Sequence, residues 1–596
     1  MNDSRNLFIA VLLSGLLMLA WWVFVGQPQQ KAMEAQQARQ AQVQKRTETP
    51  TSVAAPQAAS NQPVHLSRRQ ALEQGGPRVV IRTPTVEGSL RLKGARFDDL
   101  RLRHYHETVE AKSPEIELLA PSGTSYPYFA QFGWTSTGKV ALPDDNTPWS
   151  LAKGGVLSPG NPVTLTWDNG QGLVFTRTIS VDNEYMFTIT DNVTEKSGAP
   201  IDLYPYGLVV RDGVQAHQTY WVLHEGFVGI ANGELKDPTY KDFDKDNKPP
   251  ESFGSTGGWL GITDKYWMAA VVPPQNEKFD GTFRATPYGD GKSYQANYTL
   301  GERHLSPGGT ITATQRLFAG AKVVDILRTY EHNLGIERFD YAVDWGWFIV
   351  LTQPLFWLLD HLNRYLGNFG LAIIVATIFI RLLLYPLANA SFKSMSKMKK
   401  VQPEMERIKQ RHADDPQKQQ QEMMELYRRE KVNPLTGCLP MVIQIPILFS
   451  LYKVMFVTIE MYHAPFWGWI KDLSAPDPTS FINLFGLLPY HVPAFIPAVL
   501  SVGIWPILMG ITQWVQTKMN PAPTDPMQAK MFALMPLIMT FMFSAFPSGL
   551  VIYYTWNNIL STGQQAMMMK REGVPIHLFE NLKPPAFLLR LFKRDA

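Results

Sequence analysis

The feature that most constrains this chain is a set of long apolar runs in its second half. They lie at roughly residues 370–386, 437–458, 497–517, 530–546 and 548–568, with polar loops between them. An α-helix needs about 20 apolar residues to cross a bilayer core of about 30 Å. Residues 7–25 form a sixth run, and no small-residue cleavage pattern follows it. The sequence therefore predicts six transmembrane helices, the first being an uncleaved anchor at 1–26.

Basic residues in the loops predict the orientation of these helices. The loop at 387–434 holds eleven Lys and Arg residues, whereas the loop at 459–496 holds Lys471 alone. We therefore expect the first loop to be cytoplasmic. Alternation from there puts both termini in the cytoplasm, including the basic tail at 571–596, and puts residues 63–340 on the opposite side.

The polar first half divides into a tether and a β-domain. Residues 27–62, rich in Gln, Ala and Pro, carry almost no large apolar side chains and so predict a flexible tether. Between 63 and 340 apolar residues alternate with polar ones, as at Phe175, Ile179 and Val181. This period of two is typical of strands that bury one face. We expect one all-β domain, a large antiparallel sandwich.

Residues 341–366 join that domain to the apolar half. Their Trp-rich and Phe-rich part carries most of its polar residues on one side and contains Pro354. The pattern predicts an amphipathic helix at the membrane surface, ahead of a five-helix core at 367–570.

The cytoplasmic loop at 387–434 reads as a helical hairpin. In its first arm Met398, Val401 and Met405 recur at steps of three and four, and "ADDP" supplies a turn before a second helix. A docking arm for a partner and a plain solvated helix pair both remain open.

One arginine lies inside an apolar run, in the stretch "ATIFIRLLLYPL". A guanidinium in hydrocarbon costs about 2.5 to 3.5 kcal/mol on insertion scales, so Arg381 needs a reason to be there. Thr377 lies one turn earlier on the same helix face. Gln444, Asn557 and Asn558 are further polar residues in predicted helices, which contain no Asp or Glu to pair with Arg381. Snorkelling to the cytoplasmic surface and service in a polar site both remain open.

The fifth run, "MFALMPLIMTFMFSAF", is short and carries a methionine stripe. Met527, Met531, Met535, Met539 and Met542 fall at spacings of four, four, four and three. Methionine is polarizable and adapts to many apolar partners, although ordinary helix packing or lipid contact explains the stripe equally well. Sixteen residues cover only about 24 Å, so this helix is expected to thin the bilayer.

No pattern in the chain points to catalysis. The single cysteine, Cys438, excludes an intramolecular disulfide, and the histidines show no metal-ligand or nucleophile spacing. An intramembrane hydrolase would need a Ser/His pair, paired aspartates or a metal motif within the predicted helices. A transporter that uses Arg381 to bind an anionic solute is the remaining alternative from another class.

Several segments resemble a known family. They are "DWGWFIVLTQPLFWLLDHLNRYLGNFGLAIIVATIFIRLLLYPL", "SMSKMKKVQPEMERIKQR", "EMMELYRREKVNPLTGCLPMVIQIPI" and "DPMQAKMFALMPLIMTFMFSAFPSGLVIYY". These are similar to bacterial members of the YidC/Oxa/Alb superfamily of membrane protein insertases. The anchor and "GGWLGITDKYWMAAVVP" at 257–273 resemble the form with a large periplasmic domain. Residues 481–503 look longer than the commonest pattern there, which leaves the start of the fourth predicted helix open.

The resemblance implies a fold, a function and a site. The fold is a polytopic α-helical membrane protein, five of whose helices form the insertase core, plus a periplasmic super-sandwich. The function is insertion and chaperoning of nascent membrane proteins, without a reaction or a cofactor. The implied groove residues are Arg381, Thr377, Gln444, Tyr554 and Asn558. The implied client contacts are Met531, Met535, Met539 and Tyr553.

The resemblance also implies a location and partners. The location is the bacterial inner membrane, with the large domain in the periplasm. The partners are nascent membrane proteins, the Sec translocon, the ribosome, the receptor of the signal recognition particle and membrane lipids, with no direct recognition of nucleic acid.

Overall fold

A computed structural model of the chain divides into two units. It describes residues 55–56, 65–110, 112–214, 223–243, 248–412, 414–430, 439–488, 497–520 and 526–574. One unit, the β-unit, comprises the described residues up to Phe356 together with Ser450–Ala464. The other, the helical unit, comprises Trp357–Phe449 and the described residues from Pro465 onward. The predicted N-terminal anchor and most of the predicted tether and C-terminal tail lie outside the described residues.

The β-unit is built from antiparallel strands. They are β1 (Arg78–Arg82), β2 (Val86–Arg91), β3 (Arg96–His106), β4 (Glu115–Leu119), β5 (Tyr128–Thr135), β6 (Ser150–Lys153), β7 (Val163–Asp168), β8 (Leu173–Val181), β9 (Met186–Glu195), β10 (Ile201–Asp212), β11 (Gly226–Ala231), β12 (Glu234–Lys236), β13 (Glu251–Thr256), β14 (Gly258–Thr263), β15 (Trp267–Val272), β16 (Lys278–Tyr288), β17 (Gly291–Leu300), β18 (Arg303–Leu305) and β19 (Thr310–Ala321).

These strands form two sheets. One runs in the order β1-β2-β3-β5-β10-β17-β16-β13, with β4 added beside β3 and β18 beside β10. The other runs in the order β12-β11-β14-β15-β19-β9-β8-β7-β6. Large aromatic side chains such as Trp134 and Trp259 are fully buried in the β-unit. The prediction of an all-β sandwich is confirmed.

The alternating pattern read from the sequence is the pattern of burial. In β8 every second residue is buried, including Phe175, Ile179 and Val181. The strand pairs with β9 in a register that puts Ile179 opposite Ile189. A strand of period two can bury such residues only on one face, so the register of the whole pair follows from its apolar residues.

The sandwich also buries a complete ion pair. Arg177 on β8 donates from Nε and Nη2 to the two carboxylate oxygens of Asp191 on β9, at 2.6 and 2.7 Å. Trp134 Nε1 donates to the same carboxylate at 3.0 Å, and the guanidinium lies over the ring of Trp149. The charge is therefore matched by a formal counter-charge and further satisfied by neighbours.

A segment distant in sequence completes the β-unit. Lys453 forms an ion pair with Asp344, and the carboxylate of Glu460 accepts from the backbone N of Val324, at the start of a helix, at 2.9 Å. Tyr462 donates to the carbonyl of His106 at 2.7 Å. Lys453 lies in a predicted transmembrane run but is not among the predicted site residues. Its partner, Asp344, is too distant in the sequence to be identified from hydropathy or residue spacing.

The described helices lie mostly in the second half of the chain. They are α1 (Arg68–Gln74), α2 (Val324–Leu334), α3 (Ile349–Leu366), α4 (Phe369–Leu383), α5 (Tyr385–Arg411), α6 (Pro416–Arg429), α7 (Leu439–Val457), α8 (Ile504–Met519), α9 (Pro526–Phe543) and α10 (Ser548–Arg571).

Helix α10 is the centre of the helical unit. It packs against α4, α5 and α8, and α9 packs on α8. The α8–α9 contact is close because Gly510 has no side chain: a Cβ there would lie 1.9 Å from Thr540 Oγ1. Helices α5 and α6 share a small core of Val401, Met405 and Leu426, which includes two of the apolar positions that predict the hairpin.

The helices differ from the predicted transmembrane runs in length and in one boundary. Among the described residues, no single helix is both long and apolar enough to span a membrane. Two consecutive helices, Phe369–Leu383 and Ala388–Arg411, are together long and apolar enough to span a membrane, but their axes are bent by 72° at the break between them. The start of the fourth predicted run, roughly 497–517, is left open by the sequence, and in the structure α8 begins at Ile504. There Asp477 Oδ2 accepts from Trp505 N at 2.9 Å and Thr479 Oγ1 from Ile504 N at 3.0 Å, which fixes the helix start.

Candidate polar site between α4 and α10

Arg381 lies in the last turn of α4, on a helix of otherwise apolar sequence. Asn368 caps the start of the helix by accepting from Leu371 N at 3.0 Å. Fifteen residues then run to Leu383 with one charged side chain among them. Because α4 packs along α10, the guanidinium reaches that neighbouring helix.

The guanidinium of Arg381 is held by neutral groups. Its Nε and Nη2 donate to the side-chain oxygen of Asn557 at 2.9 and 2.6 Å, and Nη2 also donates to the hydroxyl oxygen of Ser561. The Ser561 hydroxyl donates in turn to the carbonyl of Asn557 at 2.6 Å, which leaves its lone pairs facing the arginine. Within the part of the chain that the structure describes, Arg381 has no ion-pair partner and its Nη1 makes no hydrogen bond.

The partners of Arg381 belong to a polar stripe on α10. Tyr553, Asn557, Ser561 and Gln565 follow one another at steps of four and therefore share one helix face. All four are buried. Polar residues on a buried face need partners, and the stripe finds several of them on neighbouring elements. Asn557 is among the polar residues singled out in the predicted helices, but its contact with Arg381 is not visible in the sequence. Ser561 is not among the predicted site residues, although its spacing of four from Asn557 could have revealed it.

The structure brings Gln444 to this stripe. Gln444 Nε2 on α7 donates to the hydroxyl of Tyr553 at 2.6 Å, and Tyr553 lies one turn from Asn557 on α10. A predicted groove residue and the arginine therefore meet the same face of one helix.

Two other predicted groove residues make different contacts. The Thr377 hydroxyl donates to the carbonyl of Ile373 on its own helix at 2.6 Å, and its side chain is buried. Asn558 is also buried, and its side chain donates to Thr512 on α8 at 3.3 Å. Asn558 therefore links α10 to α8 and does not share the helix face of Asn557, because adjacent residues on a helix point about 100° apart. Its place in a client groove stays a prediction.

The two tyrosines of α10 lie in different surroundings. Tyr553 is only 2% exposed, and its hydroxyl accepts from Gln444 as part of the polar stripe, so its role as a client contact stays a prediction. Tyr554 is half-buried, and its ring lies 5.2 Å from that of Phe543 on α9. It faces α9, and its ring contact among the described residues is with that helix and not with Arg381.

Helix α9 presents an exposed apolar face. Met531 is 52% exposed, whereas Met535 and Met539 are half-buried at the edge of that face. The centre of the exposed face is formed by Leu534 and Ile538, which are more exposed than Met535 and Met539. The exposed face is therefore centred on leucine and isoleucine beside the predicted methionine stripe, while Met527 lies among side chains that the structure does not describe.

The described residues can also be compared with the requirements of a metal site. Where the structure describes the chain, no group of three or more His, Cys, Asp or Glu residues is arranged to hold a metal ion. The site that remains is a single cation on α4 bound by amide and hydroxyl oxygens of α10. Such an arrangement can bind an anion or polar chain, and it lacks an obvious nucleophile and base.

Two family models match the chain. The model described as the YidC periplasmic domain matches residues 78–358, and the one described as the 60Kd inner membrane protein matches residues 361–573. The first match covers the sandwich and the second covers the helices that carry the polar site. Together with the observed sandwich, the two matches identify the class of protein as a bacterial inner membrane protein with a periplasmic all-β domain.

Curated relatives match over nearly the whole length. The chain is 50% identical to the membrane protein insertase YidC of Methylobacterium radiotolerans, over 98% of this chain and 97% of that one. It is 48% identical to that of Bradyrhizobium diazoefficiens, over 98% of each. The chain belongs to the YidC family and is a membrane protein insertase.

A solved structure of an active YidC insertase with its first transmembrane domain resolved is also similar. It is 18% identical, covers 85% of this chain and 94% of its own, and superposes with a TM-score of 0.35. At that score the likeness adds nothing to the family assignment, which rests on the sequence matches. The family is a class of insertases and not of catalytic enzymes, and membership decides against the anionic-solute transporter.

Proposed function

We propose that Arg381 is the centre of the polar site that receives the hydrophilic end of a nascent membrane protein. The observation that carries this proposal is the neutrality of its partners. Asn557 and Ser561 orient the guanidinium without cancelling its charge. A purely structural buried arginine is expected to have a carboxylate partner, because an unmatched charge in a medium of low dielectric constant is costly.

An acidic residue of the client is the natural counter-charge. Nη1 of Arg381 makes no hydrogen bond among the described residues, so a carboxylate can bind there without displacing Asn557. An ionic hydrogen bond is worth about 1.5 to 3 kcal/mol net, enough to favour entry of a polar segment while still allowing its release. Gln444, Tyr553 and Thr377 supply further polar groups near the same helices.

The apolar part of the client then leaves along α9. Its exposed face, with Met531, Leu534 and Ile538, offers apolar side chains of varied shape. Met535, Met539 and Tyr554 border that face. Transfer of the client helix into lipid releases the free energy of apolar burial, and the membrane potential adds about 2.3 kcal/mol per charge per 100 mV. No chemical bond is made or broken.

The proposed topology has six transmembrane helices with both termini in the cytoplasm. Residues 1–26 are the anchor, 27–62 the tether, 63–340 the periplasmic domain and 341–366 the interfacial helix. The core is 367–570 with its hairpin at 387–434. Nascent chains on the ribosome, the Sec translocon, the receptor of the signal recognition particle and membrane lipids are the proposed partners. Helix α9, at 18 residues and about 27 Å, thins the bilayer locally.

Insertion into Sec-free proteoliposomes tests the role of Arg381. The client is a small single-span protein with one acidic residue before its apolar segment, made by in vitro translation and scored by protease protection. We expect Arg381→Ala to lower the yield of protected client about tenfold, since loss of one ionic contact is worth about 1.4 kcal/mol or more. Arg381→Lys should keep part of the activity because it keeps the charge.

Arg364→Ala is the matched control. Arg364 is an arginine of the helical unit that is paired with Asp360 at 2.8 Å and is more than half exposed. It should insert the client as the wild type does. A second client with Asn in place of its acidic residue should depend less on Arg381. Equal losses for both clients would contradict the carboxylate contact and leave hydration of the site as the role of Arg381.

A further inference from the structure

The segment between α7 and α8 has an unusual composition. The forty residues from Pro478 to Thr517 contain no Asp, Glu, Lys or Arg. Two described stretches in this segment, 478–488 and 497–503, contain no α-helix before Ile504 apart from short 3₁₀ turns, and together they are here called the apolar loop. Loops in contact with water are normally polar, because their backbone and side chains face solvent.

The apolar loop exposes most of its large side chains. Leu487 is 83% exposed, which makes it one of the most exposed leucines in the described chain. The other exposed members are Phe481, Leu484, Phe485, Leu488, Val499 and Leu500. Single exposed apolar residues are ordinary, but a contiguous set without a charge marks a surface that another apolar phase covers.

The exposure is built into the backbone. Leu484 and Phe485 both lie in the left-handed region, with φ of 51° and 59°, which bulky residues rarely adopt. Backbone hydrogen bonds hold them there: Phe485 N donates to Ser480 O at 2.7 Å and Leu488 N to Asn483 O at 3.1 Å. The turn therefore presents these side chains in a fixed arrangement.

Hydrogen bonds tie the apolar loop to helix ends. Phe481 N donates to Val502 O at 3.0 Å and closes the loop, and Thr479 and Asp477 accept from the first turn of α8. At the end of α9, the Ser544 hydroxyl contacts the carbonyl of Val499 at 3.0 Å. The exposed face of α9, which ends at Met542, thus continues into the exposed Val499 and Leu500.

Two tryptophans precede the loop on the same connection. Trp467 and Trp469 are 60% and 41% exposed. Trp469 Nε1 donates to Asp477 Oδ1 at 3.2 Å, next to the start of α8. Exposed tryptophans beside an uncharged apolar surface are typical of the boundary between lipid headgroups and acyl chains.

We propose that the apolar loop inserts into the outer leaflet of the bilayer, where it binds phospholipid acyl chains and anchors the ends of α8 and α9. A lipid surface fits better than a protein partner because protein interfaces surround their apolar centre with polar and charged groups, and this loop has no charged side chain. The proposal rests on the proposed topology, which puts the α9–α10 turn on the periplasmic side.

Fluorescence of a single label tests the proposal. Cys438 is the only cysteine, so Cys438→Ser provides a background in which Leu487→Cys carries an NBD fluorophore in full-length protein reconstituted in phosphatidylcholine–phosphatidylglycerol vesicles. We expect a blue-shifted emission, quenching by spin labels near the top of the acyl chains, and iodide quenching at least about threefold weaker than for exposed sites.

Two exposed apolar positions serve as controls. Val156→Cys lies in the β-unit, and Met424→Cys lies in the cytoplasmic hairpin; both residues are about half exposed. Iodide quenching of the Leu487 label equal to that at Val156 would overturn the proposal. So would protection from both iodide and lipid spin labels, because a protein segment or second copy would then cover the loop.

The outcome is separable from that of insertion. Sidedness of the labels, read with an impermeant thiol reagent in oriented vesicles, tests the topology. Client insertion by unlabelled Leu487→Cys protein tests the function. Lipid quenching at Leu487 together with unchanged insertion by Arg381→Ala would keep the anchor and refute the role of Arg381, whereas Leu487 on the side of Met424 would refute the outer-leaflet assignment itself.

Discussion

Two arginines, Arg177 buried and Arg381 half-buried, show how differently the two units accommodate a charge. In the sandwich, Arg177 meets both oxygens of Asp191, and Trp134 adds a donor to the same carboxylate. In the helical unit, Arg381 meets an amide and a hydroxyl. In an ion pair the two charges neutralise each other, so the pair does not attract a further ion. A cation that is oriented by neutral groups keeps its charge and can still bind an anion. The first arrangement is a structural link and the second is suited to a transient ligand.

Opening the closed pair should have the largest effect. Asp191→Asn leaves Arg177 charged and buried without a counter-charge, and we expect a loss of about 3 to 5 kcal/mol in the free energy of unfolding of the β-unit. Urea unfolding in detergent, followed by fluorescence of the neighbouring tryptophans, measures it. Glu73→Gln, which breaks the exposed pair with Arg69, should cost less than about 0.5 kcal/mol. Equal midpoints for the two variants would contradict the importance of burial.

Closing the open site should have the next largest effect. Asn557→Asp gives Arg381 a carboxylate in place of the amide that it now contacts, so a client carboxylate has to compete with it. We expect insertion of the acidic client to fall about tenfold, which corresponds to about 1.4 kcal/mol. The neutral client should be affected less. An unchanged yield for the acidic client would show that the positive charge is not what the client recognises.

Lys322 offers a third kind of buried cation. It lies in the sandwich, and like Arg381 it donates to neutral oxygens: Thr263 Oγ1 at 2.9 Å and the carbonyl of Asp264 at 2.7 Å. Burial lowers the pKa of its ammonium to about 8, against the pull of nearby carboxylates such as Asp344. The charged form is therefore disfavoured in the folded protein relative to the unfolded chain.

The pH dependence follows from that direction. Between about pH 8 and pH 10.5 the unfolded chain binds more protons at this lysine than the folded protein does, so this group makes stability rise with pH across that window. Below about pH 8 its penalty is complete. In the wild type we expect the free energy of unfolding to rise on the order of 1 to 3 kcal/mol between pH 7.5 and pH 10, and Lys322→Met should remove this rise. Urea unfolding of both proteins at the two pH values measures it. Parallel pH curves for both proteins would refute it.

Removing one hydroxyl should have the smallest effect. Ser561→Ala deletes one of the acceptors of Arg381 and should lower insertion no more than about threefold, because one hydrogen bond is worth about 0.5 to 1.5 kcal/mol. Thr555→Ala is matched to it: that buried hydroxyl also donates to the carbonyl four residues earlier on α10, at 2.8 Å, but does not contact Arg381. If both variants behave alike, Ser561 contributes to the helix and not to the site.

Sequence alone predicts what depends on local periodicity. The alternation around Phe175 and Ile179 predicts the strands, and the steps of three and four at Val401 and Met405 predict the hairpin contact. It fails where distant residues decide. Hydropathy cannot distinguish an apolar loop from an apolar helix, so it does not predict where α8 begins. That start is fixed by Asp477, whose carboxylate accepts a hydrogen bond from the Trp505 amide, 28 residues further along the chain.

The arginine site illustrates the same limit. The isolated charge at Arg381 and the polar residues of α10 are visible in the sequence, but their pairing is not, because 176 residues separate Arg381 from Asn557. Only the packing of α4 on α10 selects Asn557 over its neighbour Asn558. Prediction therefore found the cation and the polar helix, and missed which face of that helix meets the cation.

Membership of Ser450–Ala464 in the β-unit has a practical consequence for shortened versions of this protein. A deletion of 63–340 follows the predicted domain boundaries, yet it would remove two hydrogen-bond partners: the Val324 amide that donates to Glu460 and the His106 carbonyl that accepts from Tyr462. Both side chains would remain on the shortened insertase without these two contacts. Loss of function in such a truncation would therefore mix two causes, and Glu460→Gln with Tyr462→Phe in the same background would separate them.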